Sequence, residues 1–178
     1  MLWRFKLYGF FKNQQYFEPY LFLLFLERGL DFFSIGLLIA ARELTVNLCE
    51  IASGAVADVM GRRGSMIFSF AAYVASFVLL GLADGMLLLL PAMVLFGIGQ
   101  AFRSGTHKAM IFTWLRSQGR EGERTRVYGL TRSWSKLGSA LGAVLGTGIV
   151  LLTGSYALLC LCSALPYVLG IVNFLGYP

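Results

Sequence analysis

The chain alternates between long apolar segments and short polar turns, and this pattern predicts its helices. A helix that crosses the hydrocarbon core of a bilayer needs about 20 consecutive, mostly apolar residues. Six segments meet this requirement, over residues 7–26, 33–56, 66–83, 86–112, 127–152 and 156–175. A longer polar loop is predicted over residues 113–126. We therefore predict an all-α, polytopic membrane protein, with six transmembrane helices in a single bundle over residues 1–178.

The boundary between the first two helices can be drawn in two ways. A single span over residues 17–41 would place three charged side chains near the bilayer centre, those of Glu27, Arg28 and Asp31. Each charge costs about 2.5–3.5 kcal/mol at that depth. A break at Gly29 avoids this cost, although Lys12 and Glu18 then require partners inside the first helix. We therefore place the break at Gly29.

Composition agrees with a membrane protein. Hydrophobic residues make up 57% of the chain and charged residues 13%, with a mean hydropathy of +0.71, whereas soluble domains average about 25% charged residues. The net charge of +6 does not indicate nucleic-acid binding, because no basic stripe stands on an otherwise polar helix. Cys49, Cys160 and Cys162 lie in apolar stretches without a CxxC pair. We predict packing roles for them, and neither a metal site nor a cofactor.

Basic residues outside the helices concentrate on one side of the predicted membrane. The side that holds both termini carries Arg4, Lys6, Arg62, Arg63, Arg116, Arg120, Arg124 and Arg126. The opposite side carries Arg28 alone. Because Lys and Arg accumulate in cytoplasmic loops, both termini are predicted to be cytoplasmic, in the cytoplasmic membrane of the cell.

A compact motif joins the second and third predicted helices. Gly54 and Asp58 are four residues apart and share one helix face, where a glycine allows another helix to approach closely. Asp58 falls at the end of its helix, where it can meet a cation or a helix N-terminus. Gly61 permits a tight turn, and Arg62 and Arg63 place two cations at the lipid headgroups.

This spacing resembles the loop 2–3 signature of the major facilitator superfamily, in which G-x-x-x-D is followed by a basic residue and then by x-G-R-R or x-G-R-K. Val59 departs from the signature, which weakens any charge relay through that position. Residues 97–105 also resemble the end of the family's fourth helix. The resemblance covers nearly the whole chain and implies the N-terminal six-helix half of a transporter, built as a 3+3 inverted repeat. It further implies that Asp58 helps to lock two halves together when the cytoplasmic gate is closed.

Polar residues inside the predicted helices are the candidates for a transport pathway, because ionisable groups at membrane depth are costly and usually functional. The resemblance implies a polar cavity lined by helices 1, 2, 4 and 5. Its candidate pathway and coupling residues are Lys12, Gln15, Glu18, Arg42, Glu43, Asn47, Glu50, Arg103, His107, Arg132 and Lys136. The alternative is a set of buried ion pairs that hold the helices together, with some side chains reaching the membrane surface.

Cations exceed anions in these helices, so an anionic substrate is one hypothesis. It predicts that neutralising Arg103 and Arg132 alters the transport of an anion. Proton coupling through His107 is a second hypothesis, because histidine titrates near neutral pH. Glu43 and Glu50 are equally good carriers if burial raises their pKa. Elsewhere, glycines recur every four residues in the fifth helix and predict close helix packing, at Gly138, Gly142 and Gly146.

We interpret the chain as half of a secondary active transporter that moves a small solute by alternating access. Its second six-helix half would come from the same gene, a separate chain or a second copy. A membrane subunit of an ATP-driven transporter is the main alternative, although the loops are short and no phosphate-binding loop is present. A non-transporting membrane scaffold is another. An enzyme is not predicted, because Ser104 and His107 lie on one helix and form no dyad across two.

Overall fold

Helices make up nearly all of the computed structural model, which describes residues 1–59 and 61–177. Two 3-10 turns, Glu18–Tyr20 and Glu121–Glu123, precede the second and seventh helices. The helices are α1 (Leu2–Phe11), α2 (Leu21–Glu27), α3 (Phe32–Val59), α4 (Arg62–Leu82), α5 (Met86–Arg103), α6 (Thr106–Ser117), α7 (Arg124–Thr153) and α8 (Tyr156–Leu175). No strand occurs in the described residues, so the predicted all-α class is confirmed for them.

Five stretches are long and apolar enough to cross a membrane. They are α3, α4, the stretch Met86–Ser117 that contains α5 and α6, the stretch Glu121–Thr153 that contains α7, and α8. These five correspond to the last five predicted helices. The polar loop predicted over residues 113–126 begins later than expected, because α6 continues to Ser117. Ile111 and Leu115 are fully buried, and their packing holds this part of α6 against the bundle, where tertiary contacts stabilise a helix more than propensity does.

The first predicted helix, over residues 7–26, is not continuous. α1 ends at Phe11, and α2 begins at Leu21 after an irregular segment and a 3-10 turn. Pro19 explains part of this break, since proline lacks an amide hydrogen and disfavours a helical backbone at the residue before it. The Tyr167 hydroxyl donates a hydrogen bond to the Lys12 carbonyl oxygen at 2.8 Å, which holds the end of α1 in place. The prediction of one uninterrupted first helix is therefore wrong.

The turn between α2 and α3 lies where the sequence predicts it. Gly29 has a φ of 76°, and the Asp31 carboxylate accepts a hydrogen bond from the Ser34 amide at 3.0 Å as α3 begins. Hydrogen bonding by Ser34 holds the pKa of Asp31 below its ordinary value. Arg28 and Asp31 therefore lie outside the helices and Glu27 is the last residue of α2, so the single span over residues 17–41 is excluded.

A second break interrupts the fourth predicted helix, over residues 86–112. α5 ends at Arg103, and α6 begins at Thr106. Gly105 between them has a φ of 71°, a left-handed conformation that glycine adopts without steric cost. The Ser104 hydroxyl donates a hydrogen bond to the Glu50 carboxylate on α3 at 2.8 Å. The break is thus anchored to a neighbouring helix. The predicted fourth span is confirmed as one membrane-length stretch, but its helix is interrupted at Gly105, which the sequence did not predict.

An aromatic core lies between α4 and α8, which pack against each other at the centre of the bundle. Phe70, Tyr73, Tyr167 and Phe174 are all completely buried. The ring centroids of Phe70 and Tyr73 each lie 4.9 Å from that of Tyr167, and Phe174 meets Phe70 edge-on at 5.1 Å. Tilted and edge-on arrangements of this kind stabilise aromatic pairs. α3 packs mainly on α5, and α7 mainly on α1.

The glycine ridge of α7 faces the first break. A Cβ atom at Gly138 would meet the Phe10 carbonyl, and one at Gly146 would lie against Tyr16, with Gly142 between them. The absence of side chains at these positions lets the backbone after α1 approach α7 directly. The predicted role of the ridge in close packing is confirmed. Its partners are the last turn of α1 at Gly138 and the irregular segment at Gly142 and Gly146.

Both chain ends lie at one end of the bundle, called the terminal end below. The Arg63 guanidinium, in the first turn of α4, donates hydrogen bonds to the carbonyl oxygens of Leu175 at 2.8 Å and Tyr177 at 2.9 Å. The opposite end, called the far end, holds the turn before α3, where the Arg28 guanidinium reaches the Gly81 carbonyl oxygen at 3.3 Å.

Candidate functional site

The signature motif turns the chain at the terminal end. Gly61 has a φ of 82°, and α4 begins at the next residue. The Arg62 guanidinium donates hydrogen bonds to the Ala109 carbonyl oxygen at 3.3 Å and to the Thr113 hydroxyl, and so joins this turn to α6. Arg63 joins it to the end of α8 through the carbonyl oxygens of Leu175 and Tyr177, where the C-terminal end of the helix carries partial negative charge.

The other two signature residues, Gly54 and Asp58, face open space. A Cβ atom at Gly54 would meet nothing within 4 Å, and Asp58 is exposed. Asp58 takes part in none of the ion pairs of residues 1–59 and 61–177. A cavity of about 490 Å³ opens beside the motif, lined by Met1, Phe5, Ala57, Asp58, Gly61, Arg62, Arg63, Met110, Thr113, Trp114, Ser117 and Tyr177.

A second cavity, also of about 490 Å³, lies between the first break and α7. Two hydrogen bonds of 2.8 Å cross its floor, from the Asn13 amide to the Ser139 hydroxyl and between the hydroxyls of Tyr20 and Thr147. Among the candidate pathway residues, Gln15 and Glu18 line this cavity. The complete lining is Asn13, Gln15, Tyr16, Glu18, Pro19, Tyr20, Ser139, Ala143 and Thr147.

The polar stripe of α3 faces away from the bundle. Glu43, Asn47 and Glu50 are all exposed. The Arg42 guanidinium pairs with the adjacent Glu43 carboxylate at 2.7 Å, and the Asn47 amide donates a hydrogen bond to the Glu43 carbonyl oxygen at 2.8 Å. Glu50 reaches another helix through Ser104. The stripe is therefore an open surface of this bundle and not the lining of a cavity within it.

Two candidate cations, Lys12 and Arg103, lie at the two breaks and rest on aromatic rings. The Lys12 ammonium lies 5.6 Å from the centroid of Tyr8, and the Arg103 guanidinium lies 5.5 Å from the centroid of Tyr73. Both cations are half-buried, and neither forms an ion pair within the described chain. Tyr167 links the two places, since its hydroxyl binds the Lys12 carbonyl oxygen and its ring packs on Tyr73.

His107 lies in the aromatic core near the terminal end. Its ring is 4% exposed and stacks on Tyr8 with a centroid separation of 3.5 Å. Its Nε2 atom lies 3.2 Å from the Tyr177 hydroxyl. The candidate residues of α7, Arg132 and Lys136, are exposed instead. The structure therefore separates His107, packed among rings, from the two cations on the open face of α7.

The ion pairs of the structure bear on the alternative role for these charges. Arg42 and Glu43 are neighbours within α3, and the remaining pairs join residues of the 116–124 segment. Arg116 and Glu121 pair at 3.5 Å where two of the membrane-length stretches adjoin the loop after α6, and both side chains are exposed. Among the described residues, no buried ion pair joins two of the five stretches. The hypothesis that buried ion pairs hold the helices together is thus not supported for this part of the chain.

The sequence did not identify several residues that contact the two helix breaks. Tyr8, Tyr73 and Tyr167 hold the cations and the backbone at the first break, but tyrosine within an apolar helix is usually a packing residue. Asn13 and Ser104 lie at the breaks and donate hydrogen bonds to Ser139 on α7 and Glu50 on α3, respectively. The signal that could have found them is the clustering of small and polar residues around Lys12 and Arg103, where helical hydrogen bonding ends.

Within the described residues, an all-helical bundle with five membrane-length helices is the architecture of an integral membrane protein. The family model of the Major Facilitator Superfamily matches residues 13–178. The chain belongs to this superfamily and is a membrane transporter of the major facilitator type, as its loop signature predicts. The superfamily is one of transporters and not of enzymes. A comparison with individual curated proteins gave no match.

Proposed function

We propose that this chain acts as the N-terminal six-helix half of a secondary active transporter, which carries a small solute by alternating access. The observation that carries the proposal is the pair of breaks, one after α1 and one between α5 and α6. In transporters built from repeats, interrupted segments at corresponding positions mark the binding site. Each break falls in the first crossing of a three-crossing unit, α1–α4 or α5–α8, as a 3+3 inverted repeat requires.

A sixth crossing, made by α1, the irregular segment and α2, supports this division. It leads from the terminal end, where Arg4 binds the Asn173 carbonyl oxygen at 3.0 Å, to the far end, where Arg28 binds Gly81. Non-helical backbone is tolerated at membrane depth where protein buries it or where it lines a cavity. Both conditions apply, because α7 packs on this segment and the second cavity opens beside it.

The terminal end is the cytoplasmic end in this proposal, in the cytoplasmic membrane of the cell. Arg4, Arg62 and Arg63 bind carbonyl groups at this end, and the loop with Arg116 and Arg120 follows α6. This concentration of arginine agrees with the excess of basic residues in cytoplasmic loops.

The second six-helix half would pack against α3 and α7. These helices present large apolar side chains with high exposure, including Leu48 at 75% and Val144 at 69%. Gly54 and Asp58 lie on one face of α3. A helix of the partner half could approach closely at Gly54 and contact Asp58, as the signature implies. The partner is encoded by the same gene or a separate chain, or is a second copy. A proton or another ion drives the cycle, with Glu18 and Glu50 as the carboxylates nearest the breaks.

Cysteine labelling tests alternating access in membranes of the cell that naturally makes the protein. Cys49, Cys160 and Cys162 are first replaced by serine. A cysteine is then introduced as Ser139→Cys, in the second cavity, or as Leu165→Cys, on an exposed apolar position of α8. A water-soluble maleimide is expected to label position 139 and to leave the lipid-facing position 165 unlabelled.

A substitution of Asp58, the signature acid at the proposed gate, is the second step of this experiment. Asp58→Asn should change labelling at position 139 several-fold, because it shifts the balance between two access states. Asp84→Asn, in the turn at the far end, should leave labelling unchanged. Equal labelling at position 139 in both variants would contradict alternating access and would favour a static membrane scaffold.

A further inference from the structure

The cations at the two breaks lack an anionic counterpart within the described chain. Lys12 follows α1, and Arg103 ends α5. A charge at membrane depth is costly unless it is paired or meets water or a ligand. Of the carboxylates near the breaks, Glu43 binds Arg42 and Glu50 accepts the hydrogen bond from Ser104. Glu18 is the remaining one, and it forms no ion pair with either cation in the described residues.

Aromatic contacts hold these cations in place without neutralising them. Tyr8 lies beneath Lys12, and Tyr73 beneath Arg103. A cation–π contact contributes about 0.5–2 kcal/mol and orients the cation, but it adds no negative charge. The Tyr73 hydroxyl is buried and has no hydrogen-bond partner in the described residues. Each break thus holds one positioned cation, and Tyr73 adds a buried hydroxyl group next to the second break.

The local charge balance favours an anion at this place. Tyr167 joins the two places, because its hydroxyl binds the Lys12 carbonyl oxygen and its ring packs on Tyr73, on which Arg103 rests. Cations close together repel one another, and the repulsion is stronger in a partly desolvated site than in water. Glu18, in the second cavity, is a single carboxylate near these cations. A bound anion would reduce the repulsion and would accept charge-assisted hydrogen bonds from the guanidinium group.

We propose that Lys12 and Arg103 together bind the anionic group of a small carboxylate- or phosphate-bearing solute, with the Tyr73 hydroxyl as an additional donor. This inference rests on the proposed transport function and names the substrate class. The two ligands come from the first crossing of each three-crossing unit. Movement at either break would therefore change the separation of the two cations and couple anion binding to the conformation of the bundle.

Binding to the purified full chain in detergent tests the proposal. The probes are inorganic phosphate and succinate, with choline as a cationic control, at constant ionic strength. Saturable binding is followed as a shift in the melting temperature. Lys12→Gln and Arg103→Gln should each weaken anion binding at least about tenfold, since each removes one of two charged contacts. Arg103→Lys should retain part of the affinity, which separates loss of charge from loss of folding.

Lys108→Gln is the matched control. Lys108 also rests on aromatic rings, 5.6 Å from Phe112 and 5.7 Å from Tyr128. It lies in the first turn of α6, but its side chain is exposed and faces Tyr128 of α7. The Lys108→Gln variant should bind both anions as the unaltered chain does. The proposal is overturned if neither anion binds saturably, if choline binds equally well, or if Lys108→Gln weakens binding as much as Arg103→Gln. Anion binding that depends on Lys12 and Arg103 would stand even if the labelling experiment showed no alternating access, whereas alternating access without such binding would remove this inference alone.

Discussion

The pair α4 and α8 differs sharply from the pair α3 and α7. In the most apolar 18-residue part of each helix, half of the residues of α4 and 44% of those of α8 are buried within the bundle. The corresponding share is 17% in both α3 and α7. Aromatic side chains fill the contact between the buried pair. The open pair carries the polar stripe, the signature aspartate and the cations of α7, and it contacts the bundle mostly through small residues.

This difference shows how one bundle separates stability from function. In a membrane, an apolar surface does not distinguish the core from the lipid-facing side, because lipid is as apolar as leucine. Close packing distinguishes them instead. The buried pair provides a rigid centre, while the open pair is free to meet a second bundle and to change contacts during transport.

The largest expected effect comes from the centre of the buried pair. Phe70→Ala should lower the free energy of unfolding by about 3 kcal/mol, at the low end for a buried phenylalanine because lipid replaces water as the alternative environment. Leu151→Ala, on α7 at a position that is 80% exposed, should change it by less than about 0.5 kcal/mol. Unfolding in mixed micelles measures both. Equal losses would show that the two pairs do not differ in packing.

The glycines of α7 should give the next largest effect. Gly138→Ala places a methyl group against the Phe10 carbonyl and should cost about 1–3 kcal/mol, as overpacking does. Gly148→Ala, where a Cβ atom would meet nothing within 4 Å, should be neutral or stabilise the helix by up to about 1 kcal/mol. The same unfolding measurement decides the sign. A loss at both positions would mean that α7 is packed more completely than the comparison states.

A smaller effect is expected where the buried pair ends. Arg63→Gln removes the hydrogen bonds from the guanidinium group to the Leu175 and Tyr177 carbonyl oxygens and should cost about 1 kcal/mol, since water can partly replace the lost donors. The last turn of α8 should fray, which faster amide hydrogen exchange over residues 172–177 would report. Unchanged exchange there would show that Arg63 acts only as a surface charge.

The smallest effect lies in the loop that leads into α7. The Arg120 guanidinium binds Glu123 through two hydrogen bonds, at 2.7 and 2.8 Å, and holds the pKa of Glu123 below its ordinary value. This contribution to loop order is present at neutral pH and is lost as the pH falls through the lowered pKa. Amide exchange over residues 118–126, corrected for the intrinsic effect of pH, should therefore rise in acid. Glu123→Gln should remove most of that dependence, and an unaltered profile in this variant would contradict the assignment.

Local chemistry made some of the turns predictable. Charges around Gly29 made a break there cheaper than a single span, and the glycine of the signature marks the turn before α4. The break at Gly105 was missed because the polar residues around it, over 103–108, lie within a longer apolar stretch that qualifies as one span. Pro19 signals the first break, but a helical pattern around proline is also compatible with a kink, so hydropathy alone did not separate the two.

The candidate site was less predictable than the helices. The sequence analysis identified Lys12 and Arg103 as charges at membrane depth, and Asp58 as the signature acid. It did not assign Tyr8 and Tyr73 to those cations, because the partners of each contact come from different helices or from different turns. It also left open whether ion pairs hold the helices together, a question that depends on distances between side chains on separate helices.

The sequence by itself determined the membrane character of the protein, its helical class, the family signature and the glycine ridge, because hydropathy, periodicity and short motifs act over neighbouring residues. Only the tertiary structure decided that the first and fourth helices are broken, that α4 and α8 form the centre, and that two unpaired cations rest on tyrosine rings at the breaks. These features depend on which helices pack together. Residues such as Tyr167 and Lys12, far apart in the chain, therefore acquire their roles only when the bundle forms.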